Sequence, residues 1–218
     1  MTQAPDKYLA PDWPAPANIV AGTTLRTGDI ANVSLPGEPC WLHQVHGNVA
    51  VAAARFDIPP DADASVSQTP GDVCVVKTAD CLPVLLCSAD GAHIGAAHAG
   101  WRGLAAGIIE STIAKIAADP VDLLVWLGPA ISQQSFEVGE EVRDAFVMHD
   151  SAATSCFKIN DRGRWQADLV ALARQRLEAA GVKSIFGGGF CTYLDKERFF
   201  SYRRNPGCGR MVSFIARL

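Results

Sequence analysis

The sequence predicts an α+β fold in which helices cover a mixed β-sheet. Three observations carry that reading. Nine short runs of strand length, apolar or alternating, are spread along the chain. Asp90-Gly91-Ala92-His93 has the composition of a tight turn between two of them, so at least one pair is an antiparallel hairpin. Three helical segments interleave with the strands rather than alternating one for one, which argues against a doubly wound parallel sheet.

In chain order, residues 1–17 hold Pro5, Pro11, Pro14 and Pro16 and are expected to form an extended arm laid on the surface. No break in composition, internal repeat or low-complexity stretch divides residues 18–218, so these are expected to form one domain. Its strand signals are Ile19 to Leu25, Val49 to Ala53, Val73 to Lys77, Pro83 to Cys87, His93 to Ala97, Leu123 to Leu127, Ser184 to Phe186, Phe199 to Tyr202 and Met211 to Ala216. Trp101 to Ala118 reads as one helix, with Leu104, Ile108, Ile113 and Ile116 on a common face and Pro120 beyond its end. Gly139 to Met148 is a shorter helix. Asp168 to Ala180 is a third, opened by a capping Asp168 and closed by Gly181.

Composition narrows the function classes. The chain has 218 residues, 49% hydrophobic and 19% charged, an ordinary globular balance with room for a sizeable core. Its formal net charge is −4 and no Lys/Arg block occurs, which speaks against a nucleic-acid surface. The longest apolar runs are strand-sized, so no membrane span is expected. The first residues lack the basic start and apolar stretch of a signal peptide, and a cytoplasmic protein is expected. Seven cysteines at irregular spacing, without a CxxC pair, suit free thiols in a reducing compartment. Cys40, Cys74, Cys87, Cys156 and Cys191 are expected to be buried, and Cys208 lies in the turn sequence Asn205-Pro206-Gly207-Cys208.

Cys81 has a more specific setting. It lies in Thr78-Ala79-Asp80-Cys81-Leu82-Pro83 between two apolar runs. Pro83 lacks an N–H and biases Leu82 toward extended geometry, so Cys81 falls at a break between buried strands, within reach of a cleft. Asp80 beside it is placed to orient a ligand or to act as acid or base. His98 ends an apolar strand and is followed by Gly100, Trp101, Arg102 and a helix, a junction whose free backbone N–H groups and Arg102 suit an anion. His43 and His46 lie three apart, and in an extended segment they point to opposite faces, so spacing does not choose between them. Each of these residues also has a plain structural reading, as a core thiol or a satisfied histidine. Together, two imidazoles and one thiolate suit a catalytic zinc with its fourth position open, at spacings too long for a zinc finger. Arg203 and Arg204 near the C-terminus and Arg26 after the first strand suit phosphate or carboxylate. Gln44 beside the histidines joins Arg26, Arg102, Arg203 and Arg204 as a substrate-binding candidate.

The strings QVHG, TADCLPVLL, HAGWRG, WLGPAI, FEVGEEV, FGGGFCTY, FFSYRR and GRMVSFIAR, in that order, resemble the YfiH family, also called polyphenol oxidoreductase or laccase-like. The resemblance runs from about residue 18 to the end; residues 27–43, shorter than the loop usual in that family, match nothing clearly. It implies a layered α/β/α sandwich around a mixed β-sheet, like that of the cytotoxic necrotizing factor toxins. It also implies a metal held by His46, Cys81 and His98, which leaves His43 a bystander. The implied activities are zinc-dependent phosphorolysis of adenosine, inosine and methylthioadenosine, and deamination of adenosine, with purine nucleoside and phosphate as partners.

Counting tests the laccase label. A four-copper cluster needs many imidazoles, and the chain has five histidines in all. A single Cu2+ with two His and one Cys is the alternative to Zn2+, but it favours a weak axial Met. Zinc would lower the pKa of a bound water toward about 7 for attack on the purine carbon that bears the amino group. Two other readings stand beside this one. In the first, Cys81 is the nucleophile of a Cys–His hydrolase or transferase with His98 as base, acting on a cell-wall intermediate. In the second, the trio is a structural zinc site without catalysis.

Overall fold

A computed structural model describes residues 8–218; residues 1–7 of the expected arm lie outside the described residues. Two sheets stack face to face, and helices cover one of them. The six-stranded sheet runs β13 (Ser184–Gly187), β9 (Leu123–Leu127), β7 (Leu82–Ser88), β8 (Ile94–Ala99), β5 (Ala64–Ser67), β4 (Ala50–Ala52). It is mixed: β13 pairs with β9 and β4 with β5 in parallel, and its other pairs are antiparallel. The five-stranded sheet runs β1 (Tyr8–Leu9), β2 (Ile19–Thr24), β14 (Met211–Arg217), β6 (Val73–Thr78), β3 (Pro39–Cys40). A small antiparallel sheet of β10 (Glu137–Val138), β12 (Trp165–Ala167) and β11 (Phe157–Ile159) stands apart from both.

Strand β7 shows why its sequence is apolar without alternation. Leu82, Val84 and Leu86 face the helices, whereas Leu85 and Cys87 face the second sheet. A strand buried on both faces reads as a continuous hydrophobic run. The helices are α1 (Trp101–Ala106), α2 (Ile108–Ile116), α3 (Glu140–Val147) and α4 (Leu169–Ala179). All four contribute to the core against the same face of the six-stranded sheet. The opposite face packs through Leu85, Ile94 and Trp126 against Ala21, Cys74, Val76 and Ile215. The α+β class with a mixed sheet therefore stands, and the layer on the second face of the central sheet is another sheet. Within the expected arm, Tyr8 and Leu9 add an edge strand to β2, and Leu9, Trp13 and Ala15 pack onto the core between the sheets.

Two expectations need correction. The helix over 101–118 is two helices: Gly107 takes φ 93° and closes α1 with its N–H on the Gly103 and Leu104 carbonyls. The chain then turns and restarts as α2. Phe199 to Tyr202 is not a strand. The Arg204 guanidinium reaches back to the carbonyls of Thr192, Tyr193 and Phe199, so the aromatic run is wound into turns around it. Of the cysteines, Cys191 is half-buried rather than buried, and all seven are free.

Gly107→Ala is expected to destabilise the protein by about 1–2 kcal/mol, because the left-handed backbone penalises any Cβ. The space around it is ordinary, the nearest atom to a Cβ being Glu110 Oε2 at 3.5 Å. A urea titration followed by circular dichroism checks this as a lower midpoint with an unchanged slope.

Candidate metal and substrate site

Three turns bring His46, Cys81 and His98 together at the ends of β6, β7 and β8. Their ligand atoms all lie within 4.8 Å of one another, with Cys81 Sγ 3.9 Å from His46 Nε2. The two imidazoles meet edge to face, with centroids 4.7 Å apart.

A residue that sequence reasoning did not single out builds this geometry. Asp63 is fully buried just before β5, and its carboxylate accepts four hydrogen bonds. Three come from consecutive backbone N–H groups, Val45 at 3.2 Å, His46 at 3.0 Å and Gly47 at 2.7 Å. The fourth comes from His98 Nδ1 at 2.8 Å. A carboxylate only accepts, so His98 carries a proton on Nδ1, and Nε2 is the nitrogen it turns toward the site. The three N–H bonds fix the loop in which His46 sits at φ 60°, an unfavourable backbone for a side chain with a Cβ. Spacing carried no signal for Asp63, which lies 17 and 35 residues from the histidines it serves.

Glycines let the turns approach. A Cβ on Gly100 would stand 3.0 Å from both Cys81 Sγ and His46 Cδ2, and one on Gly103 would stand 2.6 Å from the Gly47 carbonyl oxygen. Asp80 supports Cys81 from the other side. It takes φ 96°, and its carboxylate accepts from Thr192 Oγ1 at 2.6 Å, Ser201 Oγ at 3.0 Å and the Arg203 N–H at 2.7 Å. Asp80 was expected to orient a ligand or to act as acid or base, and its oxygens tie the turns at 192 and 201–203 to the Cys81 turn.

The donor set fits zinc. Tetrahedral zinc with bonds of about 2.0–2.3 Å needs ligand atoms roughly 3.5 Å apart. The trio is within a small contraction of that, and two imidazoles with one thiolate is a zinc donor set. Among the described residues these three form the one His/Cys/Asp/Glu group able to hold a metal. The other histidines whose ring contacts are seen lie elsewhere: His43 is exposed against Asp61, and His93 bonds the Ile116 carbonyl. Met148 is exposed, the Met211 sulfur accepts the Phe200 N–H, and neither lines the cavity beside the trio.

Burial alone would push the Cys81 thiol up, but hydrogen bonds and charge from His46 and His98 bring it down to about 6. Burial pushes His98 down, and it is overcome by Asp63 and Cys81, which raise it to about 9. Cys74 and Cys87, buried without such partners, are pushed up to about 12.

The trio forms part of the wall of a cavity of about 640 Å³. Of the substrate-binding candidates, Arg102, Arg203 and Gln44 line it. Arg102 stacks on Trp101, and Arg203 lies over Phe136 with its guanidinium on the Glu137 carbonyl. Gln44 uses its amide on the Lys77 backbone, donating to the carbonyl at 2.9 Å and accepting from the N–H at 2.8 Å, so it pins the histidine loop to β6. Arg26 and Arg204 do not line the cavity. Arg26 donates to the Lys196 carbonyl and lies over Phe200, and Arg204 holds the turns described above. Lys77, Thr78 and Arg210 line the cavity and had not been singled out.

Residues 24–218 match the family model described as multi-copper polyphenol oxidoreductase laccase. The chain belongs to this family. It is 44% identical to the purine nucleoside phosphorylase YfiH of Escherichia coli (strain K12), over 96% of this chain and 98% of that one. Purine nucleoside phosphorylase PA4543 of Pseudomonas aeruginosa is also 44% identical, over 95% and 97%. A crystal structure of a Neisseria meningitidis protein of the DUF152 family superposes with a TM-score of 0.92 at 40% identity, covering 97% of this chain and 99% of that one. The laccase-like family name thus meets a site with two imidazoles rather than the many a copper cluster requires.

Metal-stripped protein is expected to react with iodoacetamide first at Cys81. The rate should rise with pH through about 6 and level off above it, since the thiolate is the reacting form. Cys74 and Cys87 should stay unmodified. Peptide mass mapping across pH 5–9 checks this; a Cys81 rate still climbing at pH 8–9 contradicts the ion-paired site.

Proposed function

We propose that the chain is a zinc-dependent purine nucleoside phosphorylase that also deaminates adenosine, with His46, Cys81 and His98 as the metal ligands. The observation that carries this is the convergence of these ligand atoms in the wall of a cavity large enough for a nucleoside and rich in cations. The names of relatives that match nearly the whole chain support it. Zinc bound there would supply Lewis acidity.

The chain's own residues supply the rest. In phosphorolysis a phosphate oxygen bonds to C1′ of the ribose as the bond from C1′ to the base nitrogen breaks. The base leaves with the electron pair. Phosphate must therefore be held against the sugar, and Arg102 and Arg203 are the expected residues, because both line the cavity and neither pairs with a carboxylate among the described residues. Trp101, Phe136 and Tyr202 offer rings for the base. In deamination water adds at the purine carbon bearing the amino group and ammonia leaves. Asp63 serves both reactions by holding His98 and the His46 loop. The cytoplasm is the proposed location, in keeping with seven free thiols.

A second reading has one observation in its favour. Asp63, His98 and Cys81 form an acid–imidazole–thiol series with a thiol lowered to about 6, as a Cys nucleophile requires. Metal content separates the two readings.

Purified protein incubated with adenosine and phosphate, with and without added zinc, should release adenine and hypoxanthine. Cys81→Ser should lose bound zinc and both activities together. Full zinc content in Cys81→Ser would refute the ligand assignment, and activity in zinc-free wild type would favour the nucleophile. Asp63→Asn should weaken zinc binding by about 10–100-fold, read by chelator competition on protein whose circular dichroism is unchanged.

A further inference from the structure

Asp80 lies in the connection from β6 to β7, immediately before Cys81, at φ 96° and 9% exposed. Such a backbone suits glycine and strains a residue that carries a Cβ. The side chain that stands there nonetheless collects donors from two distant turns. One carboxylate oxygen accepts from Thr192 Oγ1 at 2.6 Å, and the other from Ser201 Oγ at 3.0 Å and the Arg203 N–H at 2.7 Å. The Asp80 backbone carbonyl accepts the Ile131 N–H at 2.9 Å. Among the described residues no cation pairs with Asp80, so hydroxyl and amide donors meet its charge.

The segments so held form part of the cavity wall, which includes Ile131, Tyr202 and Arg203. Arg203 is fixed at both ends. Its N–H is on Asp80, and its guanidinium lies over Phe136 and donates to the Glu137 carbonyl at 3.1 and 3.2 Å. A guanidinium has more donors than that carbonyl takes up, and the rest can meet an anion.

We propose that Asp80 is a positioning residue: by holding the Arg203 backbone against the Cys81 turn, it sets where the phosphate-binding guanidinium stands relative to the metal trio. It acts on substrate through Arg203 and not by moving a proton. The inference rests on the assignment of phosphate to Arg203 in the phosphorolysis reading. Without the carboxylate the guanidinium is still present but misplaced, so the deficit falls on phosphate binding and appears in KM rather than in kcat.

Two substitutions separate the roles. Asp80→Asn keeps an acceptor oxygen, tolerates a positive φ and cannot take up a proton as a carboxylate does. Asp80→Gly relieves the strain and removes the acceptors. Zinc-loaded full-length protein is assayed with varied phosphate at saturating adenosine, and amide hydrogen exchange is followed by mass spectrometry over residues 199–205, which include the Arg203 N–H. Asp80→Gly is expected to raise the phosphate KM about tenfold or more with kcat within about twofold, and to speed exchange in that segment. Asp80→Asn should restore both toward wild type. In an Arg203→Gln background Asp80→Gly should add no more than about twofold to the phosphate KM, because residues acting through one contact are not additive. Full additivity overturns the proposal, as does Asp80→Asn matching Asp80→Gly in KM. Loss of kcat in Asp80→Asn at wild-type KM and zinc content overturns it in favour of proton transfer. The two readings fail separately. A wild type that releases no free purine removes phosphorolysis alone, and exchange then decides: faster in Asp80→Gly and restored in Asp80→Asn keeps the positioning role, and no difference overturns it. A phosphorolytic wild type whose phosphate KM is unchanged in Arg203→Gln keeps phosphorolysis and overturns the role given to Asp80.

Discussion

The site depends on one buried carboxylate. Asp63 has no exposed surface, and an isolated ionised acid there would be prohibitively costly. Burial pushes its carboxyl up, but the His98 imidazole and the N–H groups of Gly47 and Val45 hold it below the usual carboxylate range. The same bonds that keep the charge in place shape the site. They fix the left-handed backbone at His46, hold a His98 proton on Nδ1 against Asp63, and set the imidazole donors on one side of Cys81. Removing the carboxylate would leave consecutive backbone donors unmatched as well as releasing His98, so support for the fold and support for the site are one interaction here.

Asp80 performs a parallel task at the opposite wall. Asp63 gathers the loop before the helices, and Asp80 gathers the C-terminal turns through Thr192, Ser201 and Arg203. Each carboxylate collects N–H or O–H donors from segments distant in sequence onto a point beside a candidate ligand. Asp63 accepts four hydrogen bonds and Asp80 three, so each carboxylate holds the wall beside a candidate ligand.

This division explains what was readable in the chain. Strands β2, β6, β7, β8, β9 and β14 announce themselves because sheet stacking buries them, β7 on both faces. The capping Asp168 and the ending at Gly181 are local chemistry, and the structure has them, with the Asp168 side chain accepting from the Ala171 N–H and Gly181 at φ 97°. The break at Gly107 escaped because the apolar spacing continues across it into α2. Phe199 to Tyr202 misled because strand propensity was overridden by Arg204, which is enclosed by three carbonyls from two turns. The same fact removes Arg204 from the cavity: an arginine pair next to aromatic residues looks alike in sequence whether it holds a turn or a ligand. Asp63 was invisible for a related reason. Its partners lie on other segments, and an Asp among alanines carries no local mark.

The cavity also reverses the sign of the molecule that surrounds it. The chain carries a formal net charge of −4, yet the basic residues lining the cavity are Lys77, Arg102, Arg203 and Arg210, and the one acid among its lining residues is Asp80. The Asp80 carboxylate is already enclosed by donors, so the field inside is set by the cations and by any metal the trio holds. Overall charge excludes a polyanion spread across the surface, because the surface as a whole repels it. It says nothing about a small anion that enters a concave site whose walls focus the local potential. A preference for a small anion over nucleic acid is thus a matter of where the cations lie rather than of how many the chain contains.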